Sequence, residues 1–459
     1  MSTVRRPTGF LFAAATSAVW LGVAAAPLAG QTATHASPAA TPFELSAIDT
    51  VWSGHSVKSA LVVTDTTIFV GYYDANRQLT IASRPRSDGA GWRYQKLDSW
   101  VNWDSHNYVA MAVDAAGNIH VSANMHRDPL LYYRTTTPGD VRTLVRVPVM
   151  ADAPLERSAT YPIFLHDAAG HLVFKYRDGA SGNGNEIYNI FDAASGRWRH
   201  LLDVPLTDGE GQRNAYFVGP VLGPDKRFHI AWVWRESPMA ESNHDLSYAQ
   251  SRDLVHWESS DGKPLHLPIT LSTAEIVDRV PAGGGMINNN TVVGFDPAGR
   301  AMITFHKFDA AGDTQIYVAR RDPAGWTIAQ VSQWRGFRWD FRGGGSLDSR
   351  LFVAGPVPVG SDKIRVSVIR DGKAIDFLLD ARTLKLLAEK RATLLAERLV
   401  PFVAIPSEMM LNTVEDSAGS GIALAWPSRP PHRDVPDMTI PTPTVLTLVM
   451  PPKTAAELR

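Results

Sequence analysis

One supersecondary pattern recurs along this chain: a run of alternating apolar residues, a short polar turn, then a second alternating run. The turns are TDTT (64–67), DAAG (114–117), DAAG (167–170), GPDK (223–226), DPAG (296–299), GSDK (360–363) and EDSAG (415–419). Period-two alternation buries one face of a strand, and a polar turn between two such runs closes a hairpin. Repetition at intervals of about 50 to 70 residues means seven copies of one unit. Further strands follow, as in LLYYR (130–134), LSYAQS (246–251) and IYVARR (316–321). Turns ending in an aromatic come next, as in DAASGRW, SRDLVHW and RRDPAGW. Four strands in each of seven copies describe an all-β, seven-bladed β-propeller, folded as a single domain with only short edges left open. A β-helix needs much shorter repeats, and a pair of sandwiches needs a mid-chain linker that this sequence lacks. The stretch DARTLKLLAEKRATLLAERL (380–399) has helical periodicity, but its first half reads as a turn and strand of the sixth copy.

Charge and composition exclude several functions. The 459 residues carry 45 Lys+Arg against 46 Asp+Glu, a formal net charge of −1, so nothing draws the chain to nucleic acid or an anionic membrane. With no cysteine, disulfides, thiolate metal sites and cysteine nucleophiles are ruled out, and any metal would need His, carboxylate or carbonyl ligands. At the N-terminus, Arg5 and Arg6 precede GFLFAAATSAVWLGVAAAPLAG, which reads as a signal peptide over 1–30, cleaved between Ala26 and Ala33. The alternative is a membrane anchor, since the stretch is near the lower length limit for a span. Residues 31–44 then form a flexible lead-in to a propeller over 45–459. The expected product is secreted or periplasmic, free of the membrane after cleavage, and monomeric.

Residues equidistant from a hairpin turn face each other across the two strands. In HNYVAMAVDAAGNIHVSANMH (106–126), His106 and His126 each lie roughly ten positions from the turn centre near 116. The same count sets Tyr161 against Arg177, Asn214 against Arg235, and Asn289 against the His306–Lys307 end of ITFHKF. The inner strands of a propeller run in one direction, so all of these reach one face around the channel, where ligand sites commonly form. A single polar residue at a strand end is ordinarily a satisfied rim group. Two His, a Tyr and an Arg together form a coordinated set.

That set suits a particular chemistry. His and Tyr donate or accept protons, and Arg grips a carboxylate with two hydrogen bonds. The matching rim positions hold no pair of carboxylates for ordinary glycoside hydrolysis, and the chain has no GxSxG elbow or HExxH motif. A His/Tyr/Arg set fits removal of a proton alpha to a carboxylate and loss of a group at the beta carbon. In a uronic acid, the C5 proton leaves and the sugar oxygen at C4 is expelled. Arg177 would hold the carboxylate, His106 or Tyr161 would take the proton, and Tyr161 could return one to the leaving oxygen. His126 would orient the pair. A tyrosine base would need a depressed pKa, which nearby Arg and His could supply. Asn107, Tyr216, Arg235, Asn289 and His306 complete the substrate-binding set, with no cofactor or catalytic metal required.

The segments DSHNYVAMAVDAAGNIHVSANMH, SATYPIFLHDAAGHLVFKYRDGASGNG and AWVWRESPMAESNHDLSYAQSRDLVHW resemble BNR-repeat-containing propeller proteins. More narrowly, they resemble the seven-bladed ulvan lyases and rhamnosyl-glucuronate lyases. The similarity spans roughly residues 50 to 345 and is most specific in units two to four. It implies an active centre of His106, His126, Tyr161 and Arg177, with Tyr216 and Arg235 as further substrate contacts. It also implies a polysaccharide partner in which glucuronic or iduronic acid is linked to rhamnose, as in ulvan or gum arabic side chains. There are departures. SRDLVHW (251–257) keeps the Ser, Asp and Trp of the S-x-D-x-G-x-x-W box but not its Gly, which argues against a strong Asp-box sialidase identity and leaves a sialidase-like hydrolase on the same fold as an alternative. Some relatives of this fold are α-L-rhamnosidases that use a histidine elsewhere, and SGHSVKSA (53–60) offers His55. A non-catalytic sugar-binding propeller is the third possibility. Elsewhere, QWRGFRWDFRGGG (333–345) is either a sugar-stacking loop or an inter-blade loop with aromatics in the core. In SNHDLSYA (242–249), Asn243 and Asp245 offer oxygens to a structural calcium, although a hydrogen-bonded turn is the plainer role. GASGNGNE (179–186) is a flexible loop placed to shape a cleft.

Overall fold

Each of the seven polar turns closes a hairpin, and the Asp of the DAAG and DPAG turns shows how. Asp114 Oδ1 accepts from the amides of Ala116 at 2.9 Å and Asn118 at 2.8 Å. Asp167 and Asp296 make the same two bonds. A side-chain oxygen thus satisfies the turn's amides, while Gly117, Gly170 and Gly299 take φ of 86°, 88° and 80°, which suits glycine.

The computed structural model describes residues 21–24 and 43–452, except 88, 89 and 438. Most of the signal-peptide and lead-in reading therefore lies outside the described residues; Leu21–Ala24 pairs antiparallel with 410–413. Among the described residues, no helix is long and apolar enough to cross a membrane.

The hairpins extend into four-stranded antiparallel units over 60–100, 109–146, 159–200, 214–258, 292–330 and 351–391. A last unit joins Met410–Glu415, Ala423–Ser428 and Thr444–Met450 to Glu44–Val51 from the other end of the chain. First strands of successive units are neighbours: Ala60–Val63 lies beside Val109–Val113, which lies beside Ala159–His166. Val292–Phe295 sits between Asn214–Leu222 and Leu351–Val359, and Met410–Glu415 returns to Ala60–Val63. The chain is an all-β propeller.

Aromatic turn residues join consecutive units. Trp198 of the third unit donates its indole N–H to Tyr132 Oη of the second at 2.9 Å. Trp326 of the fifth sits edge-on to Tyr248 of the fourth, 4.9 Å between ring centres. The segment 380–399 resolves as expected in its first half, with a turn and strand Leu386–Arg391, followed by a short helix Leu395–Leu399. In the 333–345 loop, Trp334, Phe337, Trp339 and Phe341 are all buried, so the core reading holds and the aromatics offer no sugar platform. Asn243 Nδ2 donates to Ala240 O and Asn288 Oδ1, and Asp245 faces His244 Nδ1 at 3.3 Å; both residues are engaged in turn contacts.

Candidate active site

The loop before the second unit is wound by its own side chains. Asn102 Oδ1 accepts the Asp104 amide at 2.9 Å and Asn107 Nδ2 at 2.7 Å. Asp104 Oδ1 in turn accepts the His106 amide at 2.9 Å. These nested Asx turns leave His106 just before Val109–Val113. The hairpin pairs Val109 with Ala123 and Val113 with Ile119, and the same register continued outward sets His106 opposite His126. Their rings stack at 4.0 Å with 26° between planes. The symmetry in the sequence is a physical pairing.

Asp104 joins them. Its Oδ1 lies 2.6 Å from His106 Nδ1, and its Oδ2 makes a short bond with His126 Nδ1. Burial opposes the Asp104 charge, but bonds from His106 and His126 outweigh it and hold the carboxyl well below the usual range. A carboxylate on both Nδ1–H groups leaves both Nε2 atoms free to accept a proton. Burial lowers the His126 pKa, the Asp104 bond partly offsets this, and His106 and Arg177 lower it further.

The third unit supplies the next pair through an irregularity. Thr160 pairs with Arg177, but the register shifts between Thr160 and Ile163. Tyr161 sits in that shift with φ of 59°, a conformation uncommon for a bulky residue. Its ring lies 5.8 Å from His106 and 6.0 Å from Tyr216, with Arg177 Cζ 5.1 Å from its centre. Burial and the neighbouring Tyr216 raise the Tyr161 pKa, while Arg177, Arg235 and a hydrogen bond with Asn289 pull against them without reversing the direction. The expected depression is not found, because burial outweighs the cations. At neutral pH Tyr161 is a proton donor.

Arg177 is only 2 % exposed. Its Nη1 donates to Tyr216 Oη at 3.3 Å and its Nη2 to Thr160 Oγ1 at 2.9 Å. Among the described residues it has no carboxylate partner. The free two-pronged clamp expected from the sequence is instead a buried cation beneath two phenols. Asn214 pairs with Arg235 as counted, and Arg235 Cζ lies 5.5 Å from the Tyr216 ring. Ser181, in the loop after Arg177, meets Tyr216 Oη at 2.5 Å.

Two expected substrate contacts do not reach this cluster. Asn107 is buried, its amide turned onto Asn102. His306 is buried against Trp339, 5.4 Å between ring centres, with neither ring nitrogen hydrogen-bonded. His55 is buried too, its ring 4.9 Å from His432, and it reaches the cluster only indirectly, its Nε2 3.4 Å from Asp434 Oδ1.

Sequence reasoning missed two carboxylates. Asp104 stands two residues from His106, where only Asx-turn spacing marks it. Asp434 arrives from the far end of the chain, its Oδ2 3.8 Å from His106 Nδ1. Ser346 holds it through its amide at 2.9 Å and its hydroxyl at 2.7 Å. Burial opposes the Asp434 charge, yet His55, its Nε2 3.4 Å from Oδ1, and the hydrogen bonds from Ser346 hold its pKa at about 2. Where the sequence pointed to no metal, Asp104, His106 and His126 bring potential ligand atoms within 4.8 Å of one another.

The class defined by fold and site is an all-β propeller with a His–Tyr–Arg cluster at one end of its inner hairpins. A model of the BNR repeat-containing family matches residues 67–334, more than half of the 459 residues, and the chain belongs to that family. No curated protein matches it in sequence. Among solved structures it resembles a PL25 ulvan lyase, with a TM-score of 0.60 at 12% identity over 87% of this chain and 94% of that one. A PL25 ulvan lyase bound to -[GlcA(1-4)Rha3S]- gives 0.59 at 12% identity, over 87% and 94%. The polysaccharide lyase Uly1 gives 0.56 at 14% identity, over 86% and 90%. At these identities the likeness is one of fold.

Proposed function

We propose that the chain is a secreted or periplasmic polysaccharide lyase that cleaves by β-elimination at a uronic acid 4-linked to rhamnose. His106 Nε2 takes the C5 proton, the C5–H electrons form the C4–C5 double bond, and the C4–O4 bond breaks. Tyr161 gives its proton to the departing oxygen. The buried Arg177 charge, reaching the uronate through the Tyr216 hydroxyl to which it donates, stabilises the anion that develops at the carboxylate. The observation that carries this reading is Asp104 on both Nδ1 atoms, which makes the Nε2 atoms bases while Tyr161 stays an acid. A hydrolase needs one carboxyl raised to serve as acid, whereas Asp104 and Asp434 are both lowered. The ulvan lyase with bound -[GlcA(1-4)Rha3S]- makes ulvan the first substrate to try and gum arabic the second. Ultraviolet absorbance should grow as unsaturated uronate forms on one of them. Free rhamnose released without that absorbance would refute elimination.

A further inference from the structure

We propose that Asp104, His106 and His126, with Asp434 as fourth donor, form a binding site for a divalent transition-metal ion, one that switches elimination off when filled. The site geometry stands independently of the lyase reading; only the switching clause rests on it. His106 Nδ1 and His126 Nδ1 meet the two oxygens of one carboxylate. The stacked rings aim both Nδ1 atoms the same way, and the potential ligand atoms of the three residues fall within 4.8 Å of one another. Asp434 Oδ2 stands 3.8 Å from His106 Nδ1, held in place by Ser346. The side chains of Asp104, His106 and His126 are 17%, 20% and 23% exposed, so an ion can reach them from solvent.

Two imidazoles and two carboxylates suit Zn²⁺, Co²⁺ or Ni²⁺ rather than Ca²⁺ or Mg²⁺, which prefer all-oxygen shells. Each Nδ1 proton moves to the Nε2 of the same ring, leaving the imidazole neutral and the proton count unchanged. That shift turns both Nε2 atoms from acceptors into donors. A filled site cannot accept the C5 proton, so metal binding and elimination exclude one another.

Metal-free protein titrated with Co²⁺ should develop visible d–d absorption saturating at one equivalent, with matching Zn²⁺ calorimetry. Asp104→Ala and His126→Ala should each weaken binding by about 100-fold or more, in proteins checked for native circular dichroism, while Tyr161→Phe binds as the parent does. Should either alanine variant fail to fold, Asp434→Asn serves, with a smaller loss expected. No stoichiometric binding at millimolar Co²⁺, or undiminished binding in these ligand variants, overturns the site. Neither readout needs turnover, so an inactive lyase leaves the test intact. Where elimination is measurable, Zn²⁺ should inhibit at the concentration that fills the site and a chelator should restore activity; full activity of the zinc-loaded protein overturns the switch.

Discussion

Tyr161 keeps its proton because burial and Tyr216 outweigh the pull of Arg177 and Arg235, and that assigns it the acid half of the chemistry. Tyr161→Phe should lower kcat by about 10²- to 10⁴-fold while glycan affinity, measured by calorimetry, changes little. Asp104→Asn replaces an acceptor that serves two imidazoles with a group that can serve one as acceptor and opposes the other as donor. One ring must then change tautomer or turn, and kcat should fall roughly 100-fold. The pH profile separates this effect from simple misfolding. Burial holds His126 below the ordinary imidazole value while Asp104 raises it, so the limb of kcat/KM set by protonation of His126, the ring stacked on the base His106, should lie below about pH 6.5. Removing the Asp104 charge should move that limb further down. A limb that stays fixed or rises would contradict the arrangement. At this scale the sequence spoke for His106, His126, Tyr161 and Arg177 by their spacing from turns. It was silent on Asp434, which meets Ser105 across a separation of 329 positions.

Within single elements, hairpin register did most of the positioning. Counting from the DAAG turn placed His106 opposite His126, because antiparallel pairing makes sequence distance from a turn a spatial coordinate. The count misled for His306. It lies on Ala301–Phe308, paired with Ile316, but its ring is buried against Trp339. Register sets which residues are opposite; the packing partner of each face decides whether a side chain meets solvent. Burial pushes the His306 pKa down to about 4, only partly opposed by the nearby backbone of Gly285. The unfolded chain takes up that proton near pH 6.5, which the folded state refuses until about 4. The His306 contribution to stability is therefore complete above pH 6.5 and is lost as pH falls toward 4, amounting to about 3 kcal/mol. Urea unfolding at pH 7.5 and 4.5 should show this loss, and His306→Leu should flatten it; an unchanged slope in the variant would refute the assignment.

For the molecule as a whole, the decisive contact is the closure of the ring. Glu44–Val51 pairs with Thr444–Met450 to complete the last unit, with Ile48, Val51, Leu446 and Leu448 buried there. Deleting residues 1–51 opens the edge of that sheet and exposes its apolar face. The thermal midpoint should fall on the order of 10 °C, with aggregation on size exclusion as unpaired edges find each other; an unchanged midpoint would show that closure contributes little. By itself the sequence determined the repeating unit, the all-β class and the paired His and Tyr–Arg positions, because period-two alternation and turn chemistry act within a few residues of each other. Only the tertiary structure decided that Arg177 lies beneath two phenols, that Tyr161 keeps its proton, and that Asp434 from the far end of the chain joins the local Asp104 beside the same histidine. Burial and charge at a point depend on every segment that converges there, and in a closed ring those segments are the ones furthest apart in sequence.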